Sequence, residues 1–223
     1  GKIYNIAGPK AYKFIEIIVI DGGSKDRTLS ILKKYDDKIK YWKSEPDKGQ
    51  PNAINKGFEK ASGKILTFLN SDDLLLPESV RYVVDTWEKK GGDIFYGNYI
   101  FIDKDGNKRE IFKVSPYVRL IWQIITPPIS QPGAFFTRKI FDQVGGLDEE
   151  LQYAFDLDFF VKVLYSDTKY VRINKYLSAF RKHDEQKGRL GEWARVNNKN
   201  REIIDSRYLY VRTKDANKSF ALM

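Results

Sequence analysis

Apolar and polar positions in the first ninety residues alternate between short continuous runs and helical stripes. Ile15, Ile17, Ile18, Val19 and Ile20 form a β-branched run, the pattern of a strand buried on both faces. Asp21-Gly22-Gly23-Ser24 stops it. Asp26 or Thr28 can cap a helix running to Tyr35, with Leu29, Ile31 and Leu32 directed inward. Lys40 to Lys43 form a second short strand. Ala53, Ile54, Gly57, Phe58 and Ala61 then make a helical stripe, ended by Gly63. Ile65, Leu66, Phe68 and Leu69 make another buried strand. Pro77 suits the first turn of a helix whose inner face is Val80, Val83, Val84 and Trp87, closed by Gly91-Gly92. This βαβαβα rhythm predicts an α/β fold with a mostly parallel central sheet flanked by helices.

The pattern changes after Asp93. Ile94 to Ile102 and Lys108 to Lys113 flank Asp103-Lys104-Asp105-Gly106-Asn107, a strong turn signal, so a small antiparallel hairpin is expected. A stretch with Pro127, Pro128 and Pro132 leads into a strand over Gly133 to Phe136. A short helix over Arg138 to Val144 ends at Gly145-Gly146. Phe155 to Tyr165 reads as a helix and Tyr170 to Phe180 as a strand. From Glu185 onward the chain is charged and helix-prone, without a boundary, and no internal repeat is present. A single domain is expected.

Composition narrows the chemistry. With no cysteine, disulfides, thiolate metal sites and a cysteine nucleophile are excluded, and a single histidine, His183, rules out a His-rich cage. Hydrophobic residues make up 42% and charged residues 31%, an ordinary globular balance. No run approaches the ~20 apolar residues of a membrane span. Residues 1–13 lack the continuous apolar stretch of a signal peptide. A soluble, cytoplasmic protein is therefore expected. The 39 basic and 30 acidic residues leave a charge of +9, which suits nucleic acid, anionic lipid or a phosphorylated small molecule without choosing among them. The 14% aromatic share can line a sugar-binding groove or fill the core.

In an open α/β sheet the ligand site lies beyond the carboxyl ends of the strands. Asp21 follows one such strand and has two glycines beside it. Asn70-Ser71-Asp72-Asp73 follows the strand ending at Leu69. Adjacent carboxylates suit a hard divalent cation that bridges to diphosphate oxygens. Singly, each has a structural alternative: Asp73 as a cap for the helix near Pro77, Asp21 as a turn cap. A third cluster is Phe155-Asp156-Leu157-Asp158-Phe159. A carboxylate beside aromatic surface can have its pKa raised, which suits a general base, whereas acids in a first helical turn also favour the macrodipole. His183 could ligate a metal or touch a phosphate.

Ile17-Ile18-Val19-Ile20-Asp21-Gly22-Gly23-Ser24-Lys25-Asp26-Arg27-Thr28 closely resembles the early strand-turn motif of family 2 glycosyltransferases. So do Glu45-Pro46-Asp47-Lys48-Gly49-Gln50, Ala53-Ile54-Asn55-Lys56-Gly57 and Gly63-Lys64-Ile65. Leu69-Asn70-Ser71-Asp72-Asp73 is similar to the family's DxD element, and Gln131-Pro132-Gly133 to its acceptor-side glycine loop. Gly146-Leu147-Asp148-Glu149 precedes Asp156-Leu157-Asp158, which resembles the catalytic-base segment. The order and spacing hold from about Ile15 to His183.

The resemblance implies a GT-A (Rossmann-like) fold and inverting sugar transfer from a nucleotide-diphospho-sugar, with UDP the expected nucleotide. Residues 14–110 become the donor half, 111–185 the acceptor half and 186–223 a C-terminal helical extension. It implies a donor site of Asp21, Gly22, Gly23, Lys48, Gly49, Asn70, Ser71 and Asp72, with Asp21 at the base. Asp72, Asp73 and His183 are the implied ligands of Mg²⁺ or Mn²⁺, and Asp156 the implied catalytic base. Gln131, Pro132, Gly133 and Asp158 fall on the acceptor side. Asn70 stands where the element usually begins with aspartate, which leaves that contact neutral while it can still donate and accept. The family usually opens with a strand and a Pro-x-Tyr-Asn-like turn, which residues 1–13 do not contain, so the first strand is expected to be missing from this sequence.

The expected partners are a nucleotide sugar and a saccharide or lipid-linked saccharide, in surface polysaccharide synthesis, with no nucleic acid. Lysines are compatible with peripheral contact at the inner membrane face, where lipid-linked acceptors sit. Two alternatives stand beside this. A sugar-phosphate nucleotidyltransferase would share the fold and metal aspartates but needs a glycine-rich basic triphosphate loop, which is not visible. A non-catalytic basic RNA- or membrane-binding module would bind with steep salt dependence.

Overall fold

In the computed structural model, residues 15–117, 129 and 131–183 are described. Residues 1–14, most of the acceptor loop and the expected C-terminal extension lie outside them. The β-branched run ending at Asp21 pairs as β1 (Ile18–Asp21) with β2 (Tyr41–Ser44), parallel and in the register Ile18↔Tyr41 to Asp21↔Ser44. Helix α1 (Thr28–Lys34) joins them, opened by Asp26, whose Oδ1 accepts the Thr28 N–H at 2.9 Å. Of its three expected inward residues only Leu32 is buried, at 6% exposure; Leu29 and Ile31 are 37% and 39% exposed. At roughly 100° per residue, Leu29 and Leu32 share a face but Ile31 falls well off it, and a helix this short covers a narrow stripe.

Helix α2 (Gln50–Lys60) starts earlier than its apolar stripe, with Pro51 in its first turn. The next strands are short: β3 (Ile65–Leu66) and β4 (Leu74–Leu75). Helix α3 (Ser79–Lys90) begins after Pro77 and Glu78, so the proline precedes its first turn instead of lying in it, and Gly91 closes the helix. The hairpin forms as expected from β5 (Ile94–Ile102) and β6 (Lys108–Phe112). Asp103 Oδ1 holds its turn by accepting N–H groups from Asp105 (3.0 Å) and Asn107 (2.8 Å). Then come β7 (Ala134–Thr137), α4 (Arg138–Gln143), α5 (Phe155–Leu164) and β8 (Tyr170–Arg181).

The larger sheet runs β3-β7-β5-β8-β4, with β6 added on β5. Within it only β5–β8 is parallel; β3–β7, β5–β7, β4–β8 and β5–β6 are antiparallel. The described sheet is thus more antiparallel than the alternating pattern predicts. The second half of the chain returns strands through the first half, and nothing in a strand's own periodicity encodes which neighbour it meets. No described helix is long and apolar enough to cross a membrane.

Much of the aromatic content is core. Phe58 of α2 meets Phe136 of β7 and Phe141 of α4 at ring-centroid distances of 5.6 and 4.8 Å, and Phe136 meets Phe159 of α5 at 4.8 Å. These rings weld three helices to one sheet face. A polar clamp completes the union. Asn55 on α2 reads both backbone groups of Leu147, donating from Nδ2 to its carbonyl (2.9 Å) and accepting its N–H on Oδ1 (3.1 Å). Asn55 and Asn52 also donate to the two oxygens of Glu149, at 2.9 and 2.7 Å. These hydrogen bonds, Asn55 Nδ2 foremost and then Asn52, hold the Glu149 carboxyl below its ordinary value against a smaller effect of burial.

Because the clamp ties the segment before α5 to α2, its loss strands a backbone N–H and C=O. Asn55→Ala is expected to lower unfolding free energy by about 1–3 kcal/mol in chemical denaturation. An unchanged denaturation midpoint would mean that the segment is held elsewhere.

Candidate functional site

Asp21 ends β1 and turns the chain. Its Oδ2 accepts N–H groups from Gly23 (3.2 Å) and Ser24 (2.9 Å) and the Ser44 hydroxyl (2.6 Å), while Oδ1 accepts the Ser24 hydroxyl. Burial acts to raise its carboxyl, but the hydrogen bonds from Ser24, Ser44 and Gly23 outweigh it and keep the group below the usual aspartate value. The absence of a side chain at Gly22 lets the Asp47 carboxylate come close, since a Cβ there would stand 2.8 Å from it. Asp47 in turn accepts the Gly49 N–H at 2.8 Å. Gly49 has φ of 108°, a left-handed conformation that favours glycine and launches α2. Lys48, beside it, is exposed. The Asp21 turn therefore leads, through Asp47 and Gly49, directly to Gln50.

Asn70 through Asp73 follow at the opposite wall. Asn70 is spent on amides and acid: Oδ1 accepts from Gln50 Nε2 (2.6 Å), and Nδ2 donates to Gln131 Oε1 (3.2 Å) and Asp73 Oδ2 (3.3 Å). Ser71 is exposed. Asp73 is 4% exposed, and its Oδ1 accepts the Arg181 N–H at 2.9 Å. Burial pushes its carboxyl up to about 6, opposed by that N–H and reinforced by the neighbouring Asp72 charge. Both oxygens of Asp73 thus face inward partners, and of the three expected metal ligands it supports the loop. Asp72 points the other way, to within 3.1 Å of His183 Nε2, a residue 111 positions later. Arg181 locks this corner, donating to the carbonyls of Asp72 (2.8 Å), Asp103 (2.9 Å) and Lys104 (2.9 Å).

Gln131, Pro132 and Gly133 form a buried 3₁₀ turn before β7. Gln131 passes its Nε2–H to the Phe68 carbonyl at 2.6 Å. One cleft is lined together by Gln50, Asn70, Gln131, Gln152, Tyr153 and Asp156. Asp156 sits in the first turn of α5, half-buried as a residue. Burial raises its carboxyl above the ordinary 3.8, opposed by the Leu157 N–H on Oδ1. Asp158 does not share this cleft. It lies roughly 200° further around the helix, fully buried and paired with Lys162 at 2.7 Å. The expectation that it faces an acceptor is corrected accordingly.

A divalent ion of the Mg²⁺ or Mn²⁺ kind takes few protein ligands and completes its shell with water and phosphate. The partly open oxygen of Asp72 and nitrogen of His183 fit such an ion as a two-ligand platform. No group of three or more His, Asp or Glu forms a cage among the described residues. Sequence reasoning missed Arg181 and Gln152 entirely. Gln152 donates to the carbonyls of Lys48 (2.9 Å) and Glu149 (3.1 Å), stitching the segment before α2 to the approach to α5. Gln50 lay within a quoted motif but carried no assigned role.

The sequence profile of glycosyl transferase family 2 matches residues 5–145. An uncharacterized glycosyltransferase of Rickettsia conorii is 32% identical over 169 residues, 71% of this chain and 28% of that protein. One of Rickettsia typhi is 29% identical over 187 residues, 79% of this chain and 58% of its own length. The chain thus spans less than two thirds of either relative. Among solved structures, S. aureus TarS 1-349 in complex with UDP-GlcNAc matches with a TM-score of 0.64 at 20% identity, over 78% of this chain and 52% of TarS. The mannosyltransferase PcManGT from Pyrobaculum calidifontis, in complex with GDP-Man and Mn²⁺, matches with a TM-score of 0.55 at 16% identity, over 74% of this chain and 47% of that one. The fold is that of the GT-A glycosyltransferases, and the chain belongs to glycosyl transferase family 2.

Proposed function

We propose that the chain is the catalytic domain of a metal-dependent, inverting glycosyltransferase that moves a sugar from a UDP-sugar to an acceptor hydroxyl, in the building of a surface polysaccharide. The observation that carries it is that Asp156 and Asn70, 86 residues apart (156 − 70), line one cleft, while Asp72 meets His183 at the adjoining corner. Residues 14–110 supply the donor half and 111–185 the acceptor half. The turn at Asp21, Gly22 and Gly23 is the base-binding wall.

The chemistry follows from where charge moves. The acceptor oxygen attacks the anomeric carbon, and Asp156 takes the hydroxyl proton as the carbon–oxygen bond forms. The bond from that carbon to the diphosphate breaks, its electron pair leaves with the nucleoside diphosphate, and the configuration inverts. Asp72 and His183 are the residues that would hold Mg²⁺ or Mn²⁺, and such an ion would supply positive charge to offset the charge on the leaving diphosphate. A diphosphate needs no protonation to depart, unlike the leaving group of a glycosidase, which requires a second carboxyl as acid. One cleft-facing acid therefore suffices, which agrees with Asp158 being buried elsewhere.

Asp156 carries two opposed consequences. Positioning a general base contributes ~10²–10⁴-fold, so Asp156→Asn is expected to lose at least ~100-fold in kcat. The same substitution is expected to raise the melting temperature at neutral pH. A carboxyl whose proton is held more tightly in the folded state costs stability as pH rises above its unfolded value. The gain should therefore shrink as pH falls toward the ordinary 3.8. Near-normal turnover by the variant removes Asp156 from the role of base.

Nucleotide and metal are tested together by thermal shift. UDP with Mn²⁺ is expected to raise the melting temperature of the wild-type chain, with little rise from UDP after chelation and little in Asp72→Ala. A UDP response indifferent to metal and to Asp72 would contradict the assigned corner.

A further inference from the structure

The residues beside Asp156 carry a pattern that nucleotide binding and proton transfer do not require. A chain of neutral amides crosses the cleft floor. Gln50 Nε2 donates to Asn70 Oδ1 at 2.6 Å, Asn70 Nδ2 donates to Gln131 Oε1 at 3.2 Å, and Gln131 Nε2 ends the chain on the Phe68 carbonyl at 2.6 Å. Gln152 adds a fourth amide, fixed by the Lys48 and Glu149 carbonyls. Tyr153 and Phe155 line the same cleft, and its charged member among the described residues is the Asp156 carboxylate.

Each amide has two N–H donors and an oxygen with two lone pairs. The chain uses one Nε2–H of Gln50 and one of Gln131, so both glutamines keep a donor for a ligand while their side chains are held in place. Fixed amides serve hydroxyl and acetamido groups, which donate and accept in the same way. Aromatic walls with a few placed polar groups suit the mixed faces of a sugar ring. A carboxylate on the sugar would instead meet the Asp156 charge, in a pocket where burial strengthens the repulsion. Asn70 belongs to the same logic. An aspartate at this position would lose both N–H donors and set a third charge beside Asp72 and Asp73.

We infer that this cleft is the sugar subsite and that it selects an uncharged pyranose, a hexose or N-acetylhexosamine, over a uronic acid, with Gln50 and Gln131 as specificity-determining residues and Asn70 positioning both. The inference rests on the nucleotide-sugar reading and narrows its substrate class.

The test is calorimetric titration of the full chain, with Mn²⁺ present, by UDP, UDP-glucose, UDP-N-acetylglucosamine and UDP-glucuronic acid. At least one of the two neutral donors is expected to bind more tightly than UDP, and UDP-glucuronic acid at least ~10-fold more weakly than that donor. Asp156→Asn is expected to narrow that gap by removing the opposing charge. Gln50→Ala is expected to weaken the favoured neutral donor while leaving UDP unchanged, because its amide serves the sugar and not the nucleotide. Equal or tighter binding of UDP-glucuronic acid overturns the inference and leaves the nucleotide-sugar reading intact. So does an equal loss of UDP and donor affinity in Gln50→Ala. Failure of UDP itself to bind overturns the reading and, with it, the inference.

Discussion

The antiparallel pairing of β4 on β8 is the constraint on which the site depends. Only two residue pairs define it, Leu74↔Ala179 and Leu75↔Ser178. Continued two residues further, the same register sets Asp72 across from Arg181. A slip of one position would turn alternate side chains to the other face. Arg181 secures the register beyond the last ladder pair, through its N–H on Asp73 and its guanidinium on the Asp72 carbonyl. The half-buried Asp72 carboxylate is left facing His183. The inward turn of Asp73 has a cost, visible in its raised carboxyl, and what it secures is the outward aim of its neighbour.

The other half of the site is held from α2. That helix starts at Gln50 in the cleft, carries Asn52 and Asn55 in its middle and ends its buried face at Phe58. One element thus touches the cleft, the segment that leads to α5 and the aromatic core. Asp156 on α5 and the amide floor keep their spacing because both are referenced to the same helix. The long separations in sequence, 92 residues between Asn55 and Leu147 for instance, are closed by polar side chains reading backbone, which specifies position more sharply than apolar contact does.

Much of this was legible in the chain. Strand runs followed by acids or glycines marked the ends of β1 and of the segment before Asn70, and the hairpin turn at Asp103 was readable from its residues alone. The pairing of Asp72 with His183 was anticipated through resemblance to a family, not through spacing. What sequence could not reach was orientation. Asp156 and Asp158 look alike on paper, and only the helix, with its 100° step, separates a cleft-facing acid from a buried one paired with Lys162. Asp72 and Asp73 pose the same problem in a loop. Arg181 was invisible because its partners are backbone carbonyls, which no side-chain pattern encodes. The antiparallel share of the sheet was equally hidden, since pairing partners are chosen by tertiary packing.

The central claim is that Asp72 and His183 act as one cation platform, and a double-mutant cycle on Mn²⁺ affinity tests it most directly. Electron paramagnetic resonance would count free Mn²⁺ in the presence of UDP for the wild type, Asp72→Ala, His183→Ala and the double variant. The account predicts that each single substitution weakens Mn²⁺ binding and that the double variant is weaker by clearly less than the summed single losses, the signature of two ligands sharing one ion. Strictly additive losses, or a His183→Ala variant that binds Mn²⁺ as the wild type does, would contradict it.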